Sequence, residues 1–450
     1  MDYTEKRQFE RMTEKPVPAL VLNLAGPTVL SMLVTSVYNI ADTYFVSQLG
    51  TAASGAVGIV FSLMSVIQAV GFALGLGGGS IISRKLGERK KDDADKTAST
   101  AFFTAVASGL LITLFGTLFL DSLLRVLGAT ESILPYARDY AGYILIGAAI
   151  MGSSFVLNNI LRAEGRAFFS MIGLVFGGVL NIALDPVFIY VLDMGISGAA
   201  VSTLISQSIS FLILLSFFVF RKSQLTISVK NISRKIRDYI DILSTGLPSL
   251  LRQGTAAFAA IALNNCAAPY GDQAIAAFSV TGRVFMLVFS VILGIGQGFQ
   301  PVAGYNYGAK LYDRVKKALL FTVVTGFVIM SALSAAGYFF SGQIIALFRA
   351  DDPAVIETGS LALRMQCLAL PLNAMSVPVN MLFQSAGKVR SAAFLSSLRQ
   401  GLFFFPAVFI LPSMFGIFGL QIAQPVSDAL SAAVCVPFAV LFFRKLKKNK

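Results

Sequence analysis

The chain has 450 residues, 56% hydrophobic and 13% charged, with 36 Lys and Arg against 23 Asp and Glu. Its mean hydropathy of +0.75 lies far outside the range of a soluble domain. It has no histidine, and Cys266, Cys367 and Cys435 show no paired spacing, so zinc chemistry, a histidine general base and a disulfide framework are all disfavoured.

Residues 1–15 are charged and lack the short apolar core of a cleaved signal, so they read as a cytoplasmic tail. A spanning helix needs roughly 20 apolar residues, and about twelve such segments follow, centred near 33, 68, 110, 150, 179, 208, 255, 287, 330, 368, 401 and 430. The basic stretches, among them "SRKLGERKKDDADK", "RKSQLTISVKNISRKIRD", "AKLYDRVKK" and "RKLKKNK", alternate with loops poor in Lys and Arg. That bias places both termini of a multi-pass membrane protein in the cytoplasm, and it accounts for the net charge of +13 without a nucleic-acid partner.

Sliding the sequence by 221 residues pairs Pro27 with Pro248, Gly77 with Gly298, Gly87 with Gly308 and Gly195 with Gly416, and a shift of 222 pairs Asn158 with Asn380. The fold class is therefore an all-α integral membrane protein whose twelve helices form two pseudo-symmetric six-helix bundles. Six is even, so both halves enter the membrane the same way round, as a parallel repeat. The N-lobe spans 16–220 and the C-lobe 241–443, with a polar linker over 221–240 and a basic tail over 444–450. Two such bundles around one cleft are the architecture of an alternating-access carrier, and a monomer is expected.

The halves differ in charge. The first carries Asp42 and Asp185 without a buried cation, whereas the second has Leu263 and Pro406 at the matching positions. Asp42, Asp185 and Thr203 each stand eight residues from an outer loop position, about 12 Å deep at 1.5 Å per residue. Asn181 lies one helical turn from Asp185 on the same face. Two carboxylates in low dielectric cannot both ionise cheaply, so such a site can change its charge, holding a proton or a small cation. Pro186 removes an amide hydrogen beside Asp185 and allows the helix to bend there. In the second half Arg399 and Asp428 stand at comparable depth on consecutive helices, which suggests a structural ion pair.

"NIALDPVFIY", "GAAVSTLIS", "LRAEGR" and "GQGFQPVAGYNYGA" together resemble the multidrug and toxic compound extrusion (MATE) family, particularly its bacterial multidrug branch, over nearly the whole chain. The resemblance implies an antiporter, not an enzyme, that exports bulky organic cations in exchange for protons or sodium ions and needs no cofactor or metal. It also implies that the coupling ion sits at Asp42, Asn181, Asp185 and Thr203, with Asn158 a further member of the cluster. Some sodium-linked relatives carry acids in the seventh and tenth helices, where this chain has Gln253, Gln366 and Asn373; that departure favours protons. A flippase for lipid-linked precursors is the alternative, kept open by Arg252, Arg283, Arg364 and Arg399. An intramembrane aspartyl protease is disfavoured, because Asp185 sits in Leu-Asp-Pro and not in Gly-x-Gly-Asp.

Overall fold

The computed structural model describes residues 3–348 and 352–448, and among these every regular element is a helix. After α1 (Tyr3–Glu14), the N-lobe comprises α2 (Val17–Ser47), α3 (Thr51–Gly87), α4 (Lys91–Leu118), α5 (Leu120–Val126), α6 (Leu134–Ile146), α7 (Ala148–Ala163), α8 (Ala167–Pro186) and α9 (Gly195–Val219). The C-lobe comprises α10 (Ile236–Ala267), α11 (Asp272–Gly308), α12 (Tyr312–Phe339), α13 (Ser341–Ala346), α14 (Pro353–Ala369), α15 (Asn373–Ser385), α16 (Val389–Ser397), α17 (Phe404–Phe415) and α18 (Ile417–Lys448). The outer loop at 350 and the last two residues of the basic tail lie outside the described residues.

Among the described residues ten helices or helix pairs are long and apolar enough to cross a bilayer, and α6 with α7, bent by 50° at Gly147, provides an eleventh. The twelfth is α10, a helix of 32 residues made more polar than the rest by Arg252, Gln253, Asn264 and Asn265. Leu110, Leu114 and Leu118 of α4 are exposed, as side chains facing hydrocarbon are. Inside hydrocarbon a polar side chain must find its partner within the protein. α2 meets that need with a ladder of bonds to the carbonyl four residues back: Thr28 to Leu24, Ser31 to Pro27, Thr35 to Ser31, Asn39 to Thr35 and Thr43 to Asn39, at 2.7–2.9 Å.

The lobes meet where α2 crosses α11 and α3 crosses α10, through reciprocal glycine contacts. A Cβ on Gly87 would collide with the Tyr305 carbonyl, and one on Gly308 with the Arg84 carbonyl. Likewise Gly77 abuts Gly246 while Gly298 abuts Ala25. Each contact is the 221-residue image of the other, so these two glycine pairs are points where the two repeats touch backbone to backbone. All four contacts lie in the half of the bundle that carries the termini.

The segments at that end are fastened rather than loose. Glu164, fully buried after α7, accepts hydrogen bonds at Oε2 from the Ser223 hydroxyl (2.9 Å) and the Gln224 amide (3.0 Å), and its carbonyl accepts from Gln8 of α1 (2.7 Å). Asp95 and Thr100 of α4 accept from the linker amides of Thr226 (2.8 Å) and Ser233 (2.9 Å). From the C-lobe, Asn306 donates to the Met12 carbonyl (3.1 Å) and Arg314 to the Lys15 carbonyl (2.6 Å). After one 3-10 turn at Val229–Asn231 the linker enters α10 at Ile236, so the last residues of the polar 221–240 stretch belong to that helix.

Candidate functional site

The N-lobe gathers Asp42 from α2, Asn181 and Asp185 from α8, and Ser202 and Thr203 from α9. Asp185 is fully buried; its Oδ1 accepts from the Ser202 hydroxyl and from Asn181 Nδ2 at 3.2 Å. The same Asn181 nitrogen lies 3.3 Å from both Ser202 Oγ and Thr203 Oγ1, tying α8 to α9. Asp42 is close enough for the charge of Asp185 to act on it. Tyr140 of α6, also fully buried, stands beside Thr203 within the field of both acids.

Three buried oxygens of this cluster, Asp42 Oδ1, Asp185 Oδ2 and Asn181 Oδ1, have no hydrogen-bond partner among the described residues, and neither acid enters a salt bridge there. A buried carboxylate oxygen without a donor is costly, so the cluster has the electrostatics of a seat for a positive charge. Pro186 is the last residue of α8. A wide, π-type turn over Val187–Val191 follows, closed by the Leu192 amide on the Val187 carbonyl at 2.9 Å. With no amide hydrogen on Pro186, the Ile182 carbonyl one turn back loses its helical donor next to the carboxylate.

Asn158 does not join the cluster. Its amide donates to the Ser170 carbonyl at 3.0 Å, and its repeat partner Asn380 donates to the Ala392 carbonyl at 2.8 Å, so the pair ties consecutive helices in both lobes. Ser170 precedes Asn181 by eleven residues, about 16 Å along the helix, which sets Asn158 toward the opposite end of the lobe.

In the C-lobe Asp428, buried in α18, accepts from Arg399 Nε (2.8 Å), Asn373 Nδ2 (2.9 Å) and Gln424 Nε2 (2.7 Å). The Arg399 guanidinium lies over the rings of Phe289 (4.2 Å) and Phe285 (5.0 Å). Gln253 is half-buried with no hydrogen bond to a described side chain. Arg364 is committed to the Ser341 hydroxyl at 2.8 Å.

Sequence reasoning missed Ser202, Tyr140 and the polar residues of the inter-lobe seam. Arg162, 4% exposed and without an acidic partner among the described residues, donates to Asn159 Oδ1 in its own helix and to Gln297 Oε1 across the seam. Gln300 of α11 reaches back to Ser80 of α3 at 3.0 Å.

A two-lobed helical membrane protein with a buried acidic cluster in one lobe has the build of a membrane transporter rather than an enzyme, and sequence and fold comparisons specify its kind. The chain belongs to the MatE family, whose model matches it twice, over residues 27–187 and 248–410, the two matches starting 221 residues apart like the repeat. It is similar to the multidrug export protein MepA of Staphylococcus aureus (strain NCTC 8325 / PS 47), 26% identical over 98% of this chain and 97% of that protein. MepA of Staphylococcus haemolyticus (strain JCSC1435) is 26% identical over 93% and 92%. Among solved structures, a MATE in complex with MaL6 superposes with a TM-score of 0.94 at 30% identity, covering 98% of this chain and 99% of that one. A multidrug resistance MATE transporter in an outward-facing conformation matches with a TM-score of 0.92 at 30% identity, covering 97% and 98%.

Proposed function

We propose that the chain exports bulky organic cations across the cell membrane in exchange for protons, with the coupling charge held by Asp42 and Asp185. The observation that carries this reading is the set of partnerless acceptor oxygens on Asp42, Asp185 and Asn181, the two acids entering no salt bridge among the described residues. A proton on either carboxyl turns an orphan acceptor into a donor. The second reading, sodium coupling, draws on the same oxygens, which also suit a small hard cation. The acidic cluster and the commitment of Arg399 to Asp428 count against a flippase for anionic precursors. Curated relatives named as multidrug export proteins support organic drugs as cargo.

With the termini and basic loops taken as cytoplasmic, the glycine contacts and the Arg162–Gln297 bond close the cytoplasmic side, so this conformation faces outward. An external proton entering the cluster then favours the rearrangement that returns the lobes to the inward-facing state. Each chain carries both lobes and hence a whole cleft, so a monomer in lipid suffices, without nucleic acid or cofactor. The test is flux of a fluorescent organic cation in proteoliposomes. An imposed pH gradient should drive it in sodium-free buffer; flux that follows only a sodium gradient at constant pH would establish the second reading.

A further inference from the structure

A cavity of about 1180 Å³ lies away from the carboxylate cluster, on the inter-lobe seam at the face bearing the termini. Both repeats line it through equivalent turns. α3 ends at Gly87 and α11 at Gly308, and two residues beyond each glycine stands a basic residue with left-handed backbone, Arg89 (φ 59°) and its 221-residue image Lys310 (φ 60°). The cavity wall holds seven cations and four acids. Lys85 is paired with Glu88 and Asp93 (3.6 Å each), Lys90 with Glu88 (2.9 Å) and Lys96 with Asp238 (3.2 Å). Arg84, Arg89, Lys235 and Lys310 enter no salt bridge among the described residues; Glu88 and Asp241 act on Arg84 and Asp238 on Lys235 through their fields alone, and Arg89 lies over the Phe9 ring at 4.4 Å. Arg84 projects from the N-lobe so that its guanidinium rests against Gly387 of the C-lobe, where any Cβ would strike it.

Surplus cations drawn from both lobes around one cavity are costly to hold together unless an anion joins them. We propose that this cavity binds a phosphate-bearing anion, bridged between Arg84 and Arg89 of the N-lobe and Lys310 and Lys235 of the C-lobe side. The guanidinium supplies forked donors for phosphate oxygens and the lysines supply point charges. The same chemistry is presented by a soluble diphosphate and by the headgroup of an anionic phospholipid. An anion held by both lobes is released when they part, so its binding favours the conformation described here. That consequence rests on the alternating-access reading; the binding itself does not.

The test uses the full chain purified in detergent at fixed ionic strength. Its unfolding midpoint is followed during titration with sodium pyrophosphate, and separately with phosphatidylglycerol against phosphatidylcholine in mixed micelles. A saturable rise with either probe is expected; a lipid-only response assigns the site to a headgroup, and a pyrophosphate-only response to a soluble anion. Arg84→Gln and Lys310→Asn should each raise the apparent Kd at least about five-fold, with asparagine chosen because it tolerates left-handed backbone. Arg221→Gln, an exposed linker residue that does not line the cavity, should leave Kd unchanged. No saturable response to either probe, or an equal loss in Arg221→Gln, would overturn the proposal. Because transport is not read, such a failure leaves the coupling role of Asp42 and Asp185 untouched.

Discussion

Asp428→Asn should fail in folding rather than in coupling. The wild-type carboxylate is buried and receives three donors, from Arg399 (2.8 Å), Asn373 (2.9 Å) and Gln424 (2.7 Å). Asparagine keeps the shape but removes the charge and turns a donor toward one of those three. Breaking a buried pair by removing one partner costs about 3–5 kcal/mol. Arg399 keeps the faces of Phe289 and Phe285 at 4.2 and 5.0 Å in both proteins, so that contact cancels from the difference. The expected loss in unfolding free energy is therefore about 3–5 kcal/mol. It is measured by reversible unfolding of the detergent-solubilised chain, with Arg399→Gln and the double variant completing a cycle. The double variant should recover most of the loss, because no unpaired arginine remains. If Asp428→Asn unfolds like the wild type yet stops transport, Asp428 belongs to the transport mechanism and the structural assignment is wrong.

Arg162→Leu removes a charged hydrogen bond across the seam, worth about 1.5–3 kcal/mol, and should shift the population toward separated lobes. In a chain with Cys266, Cys367 and Cys435 replaced, a cysteine at Ser80, 2% exposed and bonded across the seam to Gln300, should then react faster with a thiol reagent. Burial pushes the Glu164 carboxyl from 4.5 up to about 7, outweighing the Arg166 cation 3.7 Å away. Between those values an exposed carboxyl loses its proton while the buried one keeps it, so docking of the linker weakens as pH rises through this window, by on the order of 3 kcal/mol in all. Hydrogen exchange of amides 223–233, corrected for intrinsic rates, should report this, and Glu164→Gln should abolish it. If both N-lobe acids load protons, exchange for a monovalent cation moves net charge, gaining about 2.3 kcal/mol per 100 mV, so an imposed voltage should alter the flux. Voltage-independent flux would indicate one proton per cycle.

The repeat was readable because glycine is required wherever the two lobes touch backbone to backbone, and Gly77, Gly87, Gly298 and Gly308 keep a fixed spacing for that reason. Asp185 and Asn181 were readable because one helical turn separates them and an outer loop fixes their depth. Asn158 was misplaced because polarity within an apolar segment gives no depth by itself, and its amide is spent on the backbone of the next helix. Tyr140 lies on α6, before the 50° bend that divides its span, so counting residues from a loop does not reveal which side chains it meets. Arg162 gave no sign of bridging the lobes, since its partner Gln297 stands 135 positions away in the other repeat.

The central claim, that the N-lobe carboxylates carry the coupling charge, is tested most directly by Asp185→Asn in proteoliposomes beside the wild type. Uptake of a fluorescent organic cation is driven by an imposed pH gradient, and binding of the same cation and unfolding free energy are measured on the same preparations. Asparagine removes an unpaired acid from hydrocarbon, so the variant should unfold no more easily than the wild type, while an amide cannot alternate between charged and neutral forms. The account predicts a folded variant that has lost pH-driven flux. Wild-type flux in Asp185→Asn would contradict it.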